Sequence, residues 1–227
     1  VSAGGLGFNF KWNMGFANDL FAYMATDPIY RKYCHEKLTF PMMYAFSEHY
    51  ILPISHDEVV HGKCSLLNKQ FGSYDDKFAG DRAFMGYMIA HPGKKLMFMG
   101  AEFGQFKEWN YKEGLEFFLK DYEKHAELDR FFTELNKLYL TEPALFGDDD
   151  GWDGFEWLAA DDKDLNSLAF VRKFGGEKII VAINFSGADI KYRFAAEKGN
   201  YKVLFDSDKK IYGGDGKRRK RVYKTEK

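Results

Sequence analysis

The sequence lacks the features that would point to a membrane, secreted or nucleic-acid-binding protein. No apolar run approaches the roughly 18–20 residues that a membrane helix requires. The first residues show no charged region followed by an apolar core, so no secretory signal is expected in them. The 227 residues include 33 basic and 34 acidic side chains. This balance gives no electrostatic reason to expect a nucleic-acid or membrane partner.

Cysteine is also scarce. Cys34 and Cys64 are the only two, and their spacing does not fit a metal-ligand motif. Both are therefore expected to be free thiols, which suit the reducing environment of the cytoplasm. No metal and no cofactor are expected.

The most informative stretch of the sequence is residues 51–63, ILPISHDEVVHGK. Its apolar run stops abruptly at His56, Asp57 and Glu58, the pattern of a buried strand that ends at an active site. In a barrel of parallel strands, catalytic side chains lie where the C-terminal ends of the strands meet the following loops. Charged groups at such an edge are costly to desolvate, so the pattern favours a chemical or ligand-binding role.

Two other interpretations of this stretch are weaker. A metalloprotease helix needs two His residues four positions apart on one face. His56 and His61 are five positions apart, which places them about 140° from a shared helical face. A plain surface cluster of charge is the second alternative. The apolar residues from Ile51 to Ile54 weigh against it, because they are expected to be buried.

Patterns of apolar residues predict alternating strands and helices over the first 147 residues. The predicted elements are a strand at 6–11, a helix that begins near Phe16 and ends before Asp27-Pro28, a helix with a turn within 29–50, a strand at 51–55, a helix at 74–91, a strand at 96–99, and one or two helices within 116–141. This alternation indicates part of a barrel or of an open α/β sheet.

The composition changes near residue 147, where acidic, turn-forming residues become frequent. Gly175 and Gly176 suit a hairpin connection between two strands. We therefore predict a second, all-β domain at 148–227, after a first domain at 1–147. Its short β-branched or aromatic runs lie at 167–173, 178–184, 190–194 and 201–205.

Three separated motifs resemble segments of the α-amylase-type glycoside hydrolases, in the form found in glycogen branching enzymes. Residues 56–63 (HDEVVHGK) resemble the fourth conserved region of that family. Residues 4–15 (GGLGFNFKWNMG) are similar to the segment around its sixth barrel strand, and residues 92–104 (PGKKLMFMGAEFG), followed by Glu108-Trp109-Asn110, to its eighth. Residues 154–158 (GFEWL) resemble the start of its C-terminal β domain.

The resemblance implies an α/β fold: the C-terminal part of a (β/α)8 TIM barrel, strands six to eight, followed by a partial all-β domain. A complete barrel typically needs about 250 residues, and the family's strands one to five have no counterpart here. The sequence also starts at Val1 without an initiator Met. We therefore expect a fragment of a longer enzyme. The basic tail, Lys217 to Lys227, departs from the family pattern, and it is interpreted either as a nucleic-acid tail or as a solvated loop or strand edge.

The resemblance also implies a reaction. Branching enzymes cut an α-1,4-glucan and transfer the segment to a 6-hydroxyl with retention, which needs two carboxyl groups about 5–5.5 Å apart. In the family these follow strands four and five, and no Arg-x-Asp nucleophile signature is present here. Asp57 corresponds to the third catalytic carboxylate, which binds sugar hydroxyls. The chain alone is expected to be inactive, with α-1,4-glucan (glycogen or amylose) and the missing N-terminal half of the same enzyme as its partners.

The remaining candidates are substrate-binding residues. His56 corresponds to the sugar-binding imidazole beside the catalytic Asp. Glu58 is expected either to face the cleft or to pair with a cation of the barrel wall. Glu102 is expected either to reach the cleft floor or to cap a following turn. Trp12 and Trp109 are candidate stacking platforms for sugar rings, with ordinary packing as the alternative.

Two other functions stay open at this level. A glucan hydrolase or a trehalose-forming enzyme of the same family shares the His-Asp pair, and residues 58–63 and 8–13 are what favour branching. A natural non-catalytic glucan-binding or interaction protein is the other possibility. The aromatic content of 18% suits a carbohydrate-binding surface.

Overall fold

A parallel sheet forms the first half of the fold. The computed structural model describes residues 4–217 and 220–225. The strands Lys11–Trp12 (β1), Tyr50–Ile54 (β2) and Lys94–Met97 (β3) pair in the order β1-β2-β3, all parallel. Their C-terminal ends therefore lie along one edge of the sheet.

Helices connect these strands, as the alternating pattern predicts. They are Met14–Ala25 (α1), Glu36–Thr39 (α2), Tyr74–Ala90 (α3) and Glu123–Thr141 (α4). Asn13 follows β1 directly and caps α1, because its side-chain oxygen accepts from the Phe16 N–H at 3.0 Å. Ser73 and Asp76 form a reciprocal capping box at the start of α3. No helix within the described ranges combines the length and the apolar character needed to span a bilayer.

The sequence prediction is wrong at one edge of this sheet. Residues 6–10 form no strand, and Leu6 and Phe8 are 93% and 70% exposed. β1 pairs only with β2, so the residues before it have no second ladder to keep them extended.

Two further boundaries differ. β3 begins and ends two residues before the predicted 96–99, because its ladder with β2 stops where Ile54 pairs with Met97. Within 29–50 the predicted helix is the single turn α2, which a 3-10 turn at Phe40–Met43 follows. The helix predicted at 74–91 is confirmed as α3.

Antiparallel strands form the second half of the fold. Gly175 and Gly176, with φ of +58° and +87°, make the predicted hairpin turn. The run at 190–194 forms no strand. Within the basic tail, residues 222–224 form a short strand; Arg218, Arg219, Glu226 and Lys227 lie outside the described residues. The strands are Phe155–Asp162 (β4), Ser167–Phe174 (β5) and Glu177–Asn184 (β6) in one sheet, and Asn200–Lys202 (β7) with Val222–Lys224 (β8) in another.

One hydrophobic cluster runs through both halves. Tyr87 of α3 meets the rings of Phe170 and Phe185, with centroids 6.3 Å and 6.1 Å apart. Arg31, which is buried, donates to the carbonyl of Phe185 at 2.6 Å. The antiparallel sheet therefore packs against the helical layer of the first half. The domain boundary at 147/148 falls between α4 and β4 and stays a prediction.

Candidate functional site

The turn after β2 carries the polar residues predicted for the site. Leu52 and Ile54 are buried within the strand. His56, Asp57 and Glu58 form a 3-10 turn directly after it. Nε2 of His56 lies 3.3 Å from Oδ1 of Asp57, and the two side chains are 45% and 59% exposed. A buried strand that ends at an open polar edge is thus confirmed.

Two aromatic side chains from the end of β3 and the following loop adjoin His56. The ring centroid of Trp109 lies 5.5 Å from that of His56, and the planes cross at 78°. Phe98 lies 5.9 Å from His56 and 5.2 Å from Trp109. Contacts of this kind favour one orientation of the imidazole. Trp109 is only half-buried, so it packs against His56 and keeps part of its surface open.

The loop that follows the turn is held by Glu108 and Trp109. The Trp109 N–H donates to the Val59 carbonyl at 2.7 Å. The Glu108 carboxylate accepts from the Cys64 N–H at 2.7 Å and the Gly62 N–H at 2.9 Å. These backbone donors, Cys64 first, hold the pKa of the Glu108 carboxyl below its ordinary value. The carboxyl is therefore ionised at neutral pH, and both hydrogen bonds are charge-assisted.

Trp12 lies on the neighbouring strand. It ends β1, lies opposite Ile51 in the register of the sheet and is exposed. β1 flanks β2 on the side away from β3. The structure therefore places Trp12 beside the start of β2, whereas Trp109 packs against His56.

Glu102 and Glu58 are the two remaining candidate carboxylates. The Glu102 carboxylate accepts from the Gly100 N–H at 2.7 Å, so it caps the turn after β3, the second of its two predicted roles. Burial lowers the pKa of the Lys69 ammonium, and the nearby charge of Glu58 offsets part of that shift. Whether Glu58 faces the cleft or pairs with a cation stays a prediction.

Neither cysteine is bridged, which confirms the prediction of free thiols. Within residues 4–217 and 220–225, no three His, Cys, Asp or Glu side chains are grouped so that they could hold a metal ion.

Parts of this chain are similar to known proteins. The model of the alpha amylase C-terminal all-beta domain matches residues 157–227. The chain is 49% identical over 220 residues to the 1,4-alpha-glucan branching enzyme GlgB of Halothermothrix orenii, covering 95% of this chain and 35% of that protein. It is 52% identical over 219 residues to GlgB 1 of Clostridium perfringens strain SM101, covering 94% and 32%. Nearly the whole chain is therefore similar to a part of these 1,4-alpha-glucan branching enzymes.

The chain spans about a third of the length of the curated relatives it matches. A third relative, GlgB of Aquifex aeolicus, gives the same picture, with 50% identity over 217 residues and coverage of 94% and 34%. A solved cyclomaltodextrinase superposes with a TM-score of 0.53 at 19% identity, covering 78% of this chain and 28% of that protein. That likeness concerns the fold alone. The predicted C-terminal all-β domain of the α-amylase type is confirmed.

The sequence analysis misses two residues of this candidate site. Phe98 is interpreted there as the interior of a strand, although it follows the end of β3 and contacts His56. Its place at a strand end is the signal that identifies it. Glu108 binds backbone groups 44 and 46 residues away. No pattern of side chains reveals such partners.

Proposed function

We propose that this chain is the C-terminal part of an enzyme that cleaves α-1,4-glucan and transfers the released segment to a 6-hydroxyl, forming an α-1,6 branch. The supporting observation is the His56–Asp57 pair at the polar end of a parallel strand, in a chain about half identical to proteins named for that reaction. In this proposal β1, β2 and β3 are strands six, seven and eight of a (β/α)8 barrel. Residues 1–147 are then the last part of the barrel, and residues 148–227 are an incomplete all-β domain.

Asp57 is the catalytic carboxylate that this chain contributes. Its open side chain can accept hydrogen bonds from sugar hydroxyls as the ring distorts toward an oxocarbenium-like transition state. Contacts to the sugar 2-hydroxyl that strengthen at that point are worth several kcal/mol. His56, 3.3 Å from Asp57, binds a neighbouring hydroxyl and keeps the carboxylate facing the sugar.

The covalent steps need groups from elsewhere in the enzyme. A retaining mechanism uses a nucleophile and an acid/base carboxyl about 5–5.5 Å apart. We assign both to the part of the relatives that this chain does not cover. That N-terminal part is the protein partner, and it closes the barrel by pairing with the outer edges of β1 and β3. The chain by itself then binds one side of the cleft and forms no glycosyl intermediate.

The remaining residues bind or support the glucan. Trp109 beside the His56 ring and the exposed Trp12 at the end of β1 offer aromatic faces, and sugar rings stack on such faces. Glu102 and Glu58 support the turns around the site. The substrate is an α-1,4-glucan such as amylose or glycogen, and the two free thiols suit a cytoplasmic enzyme.

The test uses the full-length enzyme that carries this chain, with amylose as substrate. We expect new α-1,6 links without a matching rise in reducing ends. Asp57→Asn is expected to lower kcat roughly 100- to 1,000-fold, since several kcal/mol of transition-state binding corresponds to such a factor. The circular dichroism spectrum and the thermal midpoint should stay unchanged.

Asp75→Asn, an exposed carboxylate on α3, is the matched control and should keep the parent rate. Reducing ends without branch points would assign the enzyme to the hydrolases of the family. Parent rates from Asp57→Asn would remove Asp57 from the site.

A further inference from the structure

The loop from Val59 to Cys64 holds an uncommon backbone conformation. Cys64 has φ of +65° and Gly62 has φ of +82°. The left-handed region is unfavourable for a residue with a side chain, and such a conformation persists only where the surroundings hold it. The N–H groups of these same two residues donate to the Glu108 carboxylate.

Both oxygens of Glu108 are occupied within the protein. Oε1 accepts from Cys64 and Oε2 accepts from Gly62. The exposed His61 ring adds a nitrogen 3.7 Å from Oε2. Glu108 is therefore engaged with the loop and is not directed at a sugar, although it adjoins Trp109 in sequence.

Val59 and Trp109 connect the loop to the site. Val59 immediately follows the His56–Glu58 turn, and its carbonyl accepts from the Trp109 N–H. The Trp109 ring then contacts the His56 ring. A shift of the loop away from Glu108 would therefore move the turn and its aromatic neighbour together.

We propose that Glu108 is a positioning residue: its carboxylate fixes the 59–64 loop, and through it the His56–Asp57 turn, against Trp109. This inference rests on the proposed branching function. Glu108 itself does not touch the substrate. It acts by keeping Gly62 and Cys64 in the left-handed conformation that turns their N–H groups toward a single anion.

The test compares four variants of the full-length enzyme. Glu108→Ala removes both acceptors and is expected to lower kcat/KM roughly 10- to 100-fold, a range typical of misplacement by about 1 Å. Glu108→Gln keeps one acceptor oxygen and should lose less. Cys64→Gly removes the cost of the left-handed conformation and should behave like the parent enzyme. Combined with Glu108→Ala, it should restore part of the lost activity.

Glu113→Gln is the matched control, because Glu113 lies in the same connection and pairs only locally with Asn110 and Lys107. Hydrogen exchange of residues 59–64 provides a second readout that does not depend on catalysis. Exchange should quicken in Glu108→Ala and stay at the parent rate in Glu113→Gln.

Each outcome decides the proposal. If hydrogen exchange of residues 59–64 stays at the parent rate in both Glu108 variants, the carboxylate does not fix the loop. Faster exchange with kcat/KM within twofold of the parent would overturn the positioning role. If Glu108→Ala lowers kcat/KM equally with and without Cys64→Gly, Glu108 would be assigned to direct contact with the glucan. If Glu108→Ala does not fold, Glu108→Gln carries the same comparison. A parent enzyme that forms no branches would refute the proposed function. The hydrogen-exchange rates would still show whether Glu108 fixes the 59–64 loop.

Discussion

Arg172 and Asp149 form an ion pair almost wholly excluded from solvent. Nη2 of Arg172 lies 2.8 Å from Oδ1 of Asp149, and the side chains are 0% and 4% exposed. The guanidinium also donates to the carbonyls of Ala90, Asp148 and Gly154. Asp149 accepts in turn from Lys94 at 3.0 Å. Arg172, a residue of the antiparallel sheet, thus donates hydrogen bonds to backbone carbonyls at the end of α3 and in the segment that precedes β4.

We expect Arg172→Leu to lower the free energy of unfolding of the full-length protein by about 3–5 kcal/mol. The change leaves three carbonyls without their donor and weakens the charge balance around a buried carboxylate. Lys173→Leu is the matched control. It removes the neighbouring, more exposed pair with Glu156 and should cost less than about 1 kcal/mol. Urea unfolding measures both, and equal costs would contradict the prediction.

We expect Asp81→Asn to stabilise the protein more strongly as pH rises. Burial raises the pKa of Asp81 to about 8, and the charge of Arg82 opposes only part of that shift. Because the folded pKa lies above the ordinary 3.8, the folded state binds the proton more tightly, and stability is lost as pH rises from about 4 to about 8.

The neutral amide that Asp81→Asn introduces does not titrate, so the variant escapes this loss. Its advantage over the parent should grow by up to about 1.4 kcal/mol per pH unit between about pH 5 and 7, as measured by urea unfolding at several pH values. Asp75→Asn, on the exposed side of the same helix, should show no such trend. A difference that does not depend on pH would indicate that Asp81 is ionised in the folded state.

We expect the 227-residue chain alone to self-associate. β1 and β3 are the two edges of the parallel sheet, and unpaired edges with apolar neighbours template pairing between chains. Replacing Leu6, Phe8 and Phe10 with Ser should shift gel-filtration elution toward the monomer. Leu140→Ser, a comparably exposed change on α4, should not. The same elution for both variants would place the contact elsewhere.

We expect Glu102→Gln to leave the KM for amylose within about twofold of the parent value in the full-length enzyme. Its amide oxygen can still accept from the Gly100 N–H, the contact that the carboxylate makes.

Trp109→Ala should raise KM roughly 10-fold, since loss of one aromatic face costs about 1–2 kcal/mol. A large rise in KM for Glu102→Gln would return Glu102 to the cleft.

The sequence predicts best where burial and chemistry change at one residue. The step from Ile54 to His56 locates both the end of β2 and the polar edge, because an apolar run cannot continue into charge without leaving the core. Helix α3 is equally clear, since its apolar residues recur at helical spacing and His91-Pro92 marks its end. These signals are local and need no knowledge of the partner elements.

Long-range relations are what the sequence does not contain. Residues 6–10 have the apolar pattern of a strand but pair with nothing on their outer side. The role of Glu108 depends on two N–H groups that any residue except proline could supply. The short β3 is set by where β2 turns away, not by its own composition. In each case the missing information is the position of another backbone.

The contact between Arg31 and the Phe185 carbonyl has a consequence for how the protein is made. The two residues are 154 positions apart. At about 5–20 residues per second, a ribosome needs roughly 8 to 30 s to synthesise the intervening chain. During that time the guanidinium of Arg31 lacks one of its three carbonyl acceptors, and the ring of Tyr87, once translated, lacks its neighbours Phe170 and Phe185. The nascent chain therefore presents an apolar helical surface for seconds, long enough for chaperones to bind it before the antiparallel sheet arrives.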